Sequence, residues 1–170
     1  MAMFAIAEFK NLNDLFIQQL EDLYDAEQRL TDALPKMAQA ANSPELRQAF
    51  EHHLVQTRGH VNRLESVFNK LSKTPERETC YAMKGLIKEG EDMISAKGDA
   101  AVRDAGLIAA AQRVEHYEMA GYGTVRTFAQ QLGLEDVAHI LQQTLDEEGE
   151  ADHKLTEIAR GSVNARTPVQ

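Results

Sequence analysis

The chain has 170 residues, 18 Lys and Arg against 27 Asp and Glu, and a formal net charge of −9. That acidic balance argues against nucleic acid or an anionic membrane as a partner, and no apolar run approaches the roughly 20 residues of a membrane span. Cys80 is the one cysteine, which excludes an internal disulfide framework and any CxxC-type zinc or redox site.

The N-terminal stretch, Met1 to Lys10, has no positive charge ahead of its apolar residues and is interrupted by Glu8. It is not read as a secretory signal, so a cytoplasmic location is the expectation. Only 4 Pro and 10 Gly punctuate the sequence, good helix formers dominate, and nothing alternates with period two. The chain reads as all-α, in one domain over 1–170.

A first helix is predicted from about Asn11 to Ala41. Its stripe runs Leu12, Phe16, Leu20, Leu23, Glu27, Leu30, Leu34, Met37, and Pro35 is expected to kink its last turns. Asn42-Ser43-Pro44 restarts the chain, with Ser43 as cap and Pro44 in the first helical position. The second helix reaches about Leu71, with the stripe Leu46, Phe50, His53, Thr57, His60, Leu64, Val67, Leu71. A polar connection over 72–80 leads to a short helix, Tyr81 to Lys97. Gly98-Asp99 breaks that helix and caps the next. The third long helix covers about Ala100 to Gln131, with Ile108, Ala111, Glu115, Glu118, Tyr122, Val125, Ala129 inward. The fourth covers about Glu135 to Ala159, with Val137, Leu141, Thr144, Glu148, Asp152, Leu155 inward. The tail, Gly161 to Gln170, has no stripe and is expected to fray.

Each long stripe is interrupted by polar residues in its middle third. Antiparallel helices of similar length bring their midpoints to one level. Glu27, His53, Gln56, Glu115, Glu118, Glu148 and Asp152 are therefore expected to converge in one layer. Five buried carboxylates are not stable as bare anions, because each costs several kcal/mol to desolvate. No Lys or Arg lies on an inner stripe to neutralise them. Two divalent cations would, and carboxylate with imidazole suits iron, manganese or zinc. The spacings Glu115/Glu118 and Glu148/Asp152 put each pair one turn apart on one face.

Each residue alone has a plainer reading. A single stripe Glu usually snorkels to water, a single His is usually a hydrogen-bonded core residue, and Gln56 is a poor ligand. Thr57 and His60 read as supports of the site rather than ligands. Tyr24 and Tyr122 stand one turn from Glu27 and Glu118. His52, His116, His139 and His153 fall off the inner line.

Glu115-His-Tyr-Glu118, followed 30 residues later by Glu148, resembles the second half of a rubrerythrin or ferritin-like di-iron carboxylate bundle. Several stretches resemble the bacterial YciF stress-protein family more closely. They are Asp22-Leu-Tyr-Asp-Ala-Glu27, the segment from His53 to Thr57, Gly106-Leu-Ile-Ala-Ala-Ala-Gln-Arg-Val-Glu-His-Tyr-Glu118, and Thr144-Leu-Asp-Glu-Glu148. The resemblance implies a ferritin-like antiparallel four-helix bundle with an extra short helix in the crossover, a homodimer, and a metal centre of one or two ions. The ferritin-like pattern places Glu-x-x-His on the second helix, where this chain has His53-x-x-Gln56. It often places His one turn after the last glutamate, where this chain has Asp152. Metal chemistry on peroxide or dioxygen, or metal sequestration, is the leading expectation. The alternative is a structural or protein-interaction homodimer whose polar layer is protonated and metal-free.

Overall fold

The computed structural model describes residues 8–168. Residues 1–7, which open the N-terminal stretch, and the last two residues of the tail lie outside the described residues. Five helices follow one another: α1 (Leu12–Ala40), α2 (Pro44–Lys70), α3 (Tyr81–Ser95), α4 (Ala100–Gln131) and α5 (Glu135–Ile158). There is no strand among the described residues, and no helix there is long and apolar enough to cross a membrane.

The predicted ends form through side chains. Asn11 Oδ1 accepts from the Asp14 N–H, Ser43 Oγ from Leu46, and Asp99 Oδ1 from Ala101 and Val102. Gly133 (φ 73°) closes α4: its N–H donates to Gln130 O and that of Leu134 to Ala129 O, a paired C-terminal cap. Pro35 does not interrupt α1, which continues to Ala40.

The tail differs from its expectation. A π turn, Ala159–Val163, and a 3₁₀ turn, Asn164–Arg166, extend α5. Ile158 and Val163 are five residues apart, which an α-helix would point in different directions. The wider π turn brings both into the core, where they are 1% and 2% exposed.

Polar ties set the helix directions. Asp104, near the start of α4, accepts from the backbone N–H groups of Asn42 and Ser43 in the α1–α2 turn, at 2.9 and 2.7 Å. Ser162, just beyond α5, donates to Glu45 at the start of α2 (3.0 Å). So α4 starts where α1 ends, and α5 ends where α2 starts. Around the bundle, in the order α1, α2, α5, α4, each helix is antiparallel to its neighbours. The connection over 71–99 carries α3 across the α1–α4 face. Buried Asp25 holds that connection to α1, accepting from the Cys80 N–H (2.9 Å) and from Arg77 and Arg29.

The interior has three tiers. Leu30, Leu34, Leu46, Phe50, Leu107 and Leu155 belong to an apolar cluster at one end. Phe16, Leu20, Leu64, Phe68, Val125 and Leu141 belong to a second at the other. Full burial of each such side chain contributes about 1.5–3 kcal/mol. Between the clusters lie Glu27, His53, Thr57, His60, Glu115, Glu118, Thr144 and Glu148, all buried. At this level α1 and α4 approach closely over Gly121, where a Cβ would stand 2.8 Å from the Leu23 side chain.

Candidate metal centre

The stripe periodicity turns one polar side chain per one or two turns into the middle tier. Four residues, His53 of α2, Glu115 and Glu118 of α4 and Glu148 of α5, each bring one ligand-type atom within 4.8 Å of the others. Glu27 of α1, His60 of α2 and Glu148 form a second such group. Glu148 belongs to both, so the two groups are adjacent positions of one centre.

The distances are short. His53 Nε2 stands 3.3 Å from Glu115 Oε2 and 3.4 Å from Glu148 Oε2. His60 Nδ1 stands 3.3 Å from Glu27 Oε1 and 2.9 Å from Glu148 Oε1. Yet His53 Nε2, His60 Nδ1, Glu115 Oε2, Glu27 Oε2 and both oxygens of Glu118 and Glu148 are buried without a hydrogen-bond partner. Buried polar atoms are almost always paired. A cluster of unpaired carboxylate oxygens and imidazole nitrogens facing one another is what a cation would satisfy.

The outer nitrogens of both imidazoles are engaged. His53 Nδ1 meets Gln56 Oε1 at 3.2 Å, which leaves Nε2 inward. His60 Nε2 meets Glu147 Oε2 at 2.8 Å, which leaves Nδ1 inward. Glu147 is itself gripped by both terminal nitrogens of Arg63, at 2.8 and 2.6 Å. An acceptor on the outer ring nitrogen orients an imidazole for ligation through the inner one. Tyr122 donates to Glu27 Oε1 at 2.5 Å.

Electrostatics follow from burial and crowding. Burial alone would lower the His53 imidazole, but Glu115 and Glu148 outweigh it and push it up to about 10. In the same way Glu148 and Glu27 overcome burial at His60 and push it up to about 11. Burial first, then Glu27, Glu148 and Glu115, raise the Glu118 carboxyl well above the ordinary carboxylate range. Burial also raises Glu27 and Glu148. The Arg63 guanidinium holds Glu147 down at about 2. Four carboxylates carry −4 and two divalent cations +4. An ion at each imidazole would take the place of a proton there. With four carboxylates and two imidazoles between them, the two groups could each hold a metal ion.

The residues singled out in the sequence fall into three places. Glu27, His53, Glu115, Glu118 and Glu148 meet in the two groups. Gln56 stands behind His53 as its hydrogen-bond partner. Asp152 lies at the edge, its side chain 22% exposed, accepting from Gln112 (3.0 Å) and facing exposed His116 (3.3 Å). His60, read from the sequence as a support, faces the centre with Nδ1. Glu147 and Arg63 were not singled out. Their signal was weak: a second Glu beside Glu148, and an Arg three residues after His60. Of the two tyrosines, Tyr122 reaches the centre, while Tyr24 donates to Glu65 (2.8 Å).

Comparison with known proteins agrees with this architecture. Residues 11–167 match the family described as Domain of unknown function (DUF892). The chain is 46% identical to Protein YciF of Escherichia coli (strain K12) over 158 residues, 92% of this chain and 95% of YciF. The crystal structure of that E. coli stress protein superposes with a TM-score of 0.89, covering 93% of this chain and 100% of the other. YcfI of Rhodopseudomonas palustris superposes at 0.86 with 40% identity, covering 90% and 98%. A two-domain Anabaena variabilis protein with a ferritin-like domain matches at 13% identity and a TM-score of 0.63, covering 95% of this chain and 40% of the other. That likeness shows the fold, which is ferritin-like. The chain belongs to the DUF892 family, and over most of its length it is similar to the stress protein YciF.

Proposed function

We propose that this protein binds two divalent transition-metal ions, iron first and manganese or zinc as alternatives, and meets peroxide or dioxygen at the centre during stress. The observation that carries this reading is the set of buried, unpaired donor atoms from all four long helices. Two iron or manganese ions would supply paired one-electron changes and Lewis acidity to a small oxidant, and zinc Lewis acidity alone. The protein supplies the rest. Glu148 reaches both positions. Glu27 and His60 belong to one, Glu115 and His53 to the other, and Glu118 approaches with two free oxygens. Gln56 and Glu147 hold the imidazoles in orientation, and Tyr122 O–H steadies Glu27. The apolar clusters above and below shield the layer on those two sides, which strengthens the charge interactions at enclosed Glu27, His60 and Glu148.

Metal content by plasma mass spectrometry, on protein purified without chelator or affinity nickel, tests this. About two equivalents per chain are expected, lost in Glu118→Ala. Folded protein that stays metal-free and refuses added Fe²⁺, Mn²⁺ and Zn²⁺ would overturn it.

A further inference from the structure

The two metal positions differ in access. Glu27, His60, Glu148 and Tyr122 are fully enclosed, each at 0% exposure. His53 and Glu115, by contrast, line two cavities of opposite character. One, of about 40 Å³, lies among α1, α3 and α4 and is walled by apolar residues such as Leu34, Leu86, Ile87 and Ala111. The other, of about 550 Å³, lies between α2 and α5 and opens to solvent past exposed Glu45, His52, Glu150 and Lys154. His53 and Glu115, 5% and 2% exposed, form its inner end with Nε2 and Oε2 unpartnered.

We propose that the α2–α5 pocket is the port by which a divalent cation enters the centre. Glu45 and Glu150, spread along its rim, draw the ion in by their charge, and the His53–Glu115 position receives it. The inference rests on the reading of the layer as a metal centre. Three features favour this pocket over the apolar cavity. A hydrated cation needs room for its water, and one water needs about 10–15 Å³. The 550 Å³ pocket takes an ion with its shell, and the 40 Å³ cavity does not. Stripping the shell against apolar walls is prohibitive, whereas carboxylates replace water as ligands one by one. The mouth has two carboxylates against the single Lys154 cation, so its field attracts cations. The enclosed Glu27–His60 position is then filled through the first by way of Glu148, which belongs to both groups.

The test is the rate of Co²⁺ uptake into the metal-free full chain, followed by visible absorbance in a stopped-flow instrument at low salt. The double substitution Glu45→Gln with Glu150→Gln slows uptake about tenfold and leaves final occupancy unchanged, and added salt narrows the gap. Lys154→Glu speeds uptake, a change that misfolding would not mimic. Gly90→Leu, which fills the apolar cavity instead, leaves the rate unchanged. Equal rates in wild type and all the charge variants overturn the port. So does slowing by Gly90→Leu alone. A wild-type chain that takes up no Co²⁺ overturns the metal-centre reading and the port with it, a result distinct from uptake that ignores the mouth charges.

Discussion

His60 meets different partners at its two ring nitrogens. Nδ1 faces Glu27 and Glu148, and Nε2 faces Glu147 in the grip of Arg63. The sequence shows a histidine on an inner stripe, a pattern that reads first as a hydrogen-bonding support and only second as a ligand. What separates the two is an acceptor 87 residues away, on a helix whose rotation the sequence leaves open. Glu147 and Glu148 are neighbours about 100° apart on α5, so one faces the centre and the other its rim. Gln56 plays the corresponding part for His53. The four-carboxylate, two-imidazole set is thus completed by two histidines of one helix. Replacing the outer acceptor should act on one ion only. In Glu147→Gln, the affinity of the His60 position should fall about 10–100-fold while the His53 position keeps its own. Chelator competition, resolving the two ions, checks it. Equal loss at both positions, or none, would contradict the assignment of Glu147 to His60.

At the scale of the element, the long helices were legible because stripe, cap and breaker agreed at each end. The extension of α5 was not legible, because an α-helical period cannot align Ile158 with Val163. The role of Asp25 was hidden for a similar reason. It lies beside the first stripe, and its partners Arg77 and Cys80 come from a connection with no period. The end of α2 holds another such feature. Ser72 adopts φ 54°, and the Ser72 and Lys73 N–H groups cap the helix through Asn69 O and Phe68 O. Gly133 fills the same role at α4 without a Cβ. The left-handed conformation costs a non-glycine residue about 1–2 kcal/mol, and glycine returns about 0.5–1 kcal/mol of that through unfolded-chain entropy. Ser72→Gly should therefore stabilise by about 0.5–1 kcal/mol and raise Tm by about 2 °C in calorimetry. A fall in Tm would show that the serine side chain offsets the strain.

Across the whole molecule, a polar tier lies between two apolar clusters, and each tier sets a condition on the other. The level of the tier was legible because antiparallel helices of similar length align their midpoints. Which polar residues enter it was less so, because one turn and a rotation of only about 40° separate Glu148, at 0% exposure, from Asp152, at 22% for its side chain. Glu118 makes the condition testable. Its oxygens have no hydrogen-bond partner, so Glu118→Leu leaves no donor orphaned and removes the desolvation of a carboxyl. In chelator, the variant should be more stable than wild type by about 1–4 kcal/mol. With Mn²⁺ at about 100-fold over its dissociation constant, each bound ion should stabilise wild type by about 2.7 kcal/mol, and the variant should forgo most of that. The order of the two melting temperatures should then reverse between chelator and metal, with each kcal/mol read as about 2–4 °C. A variant less stable than wild type in both conditions would mean that Glu118 supports the fold without an ion. Reversal would mean that the fold tolerates an unfavourable layer in order to bind one.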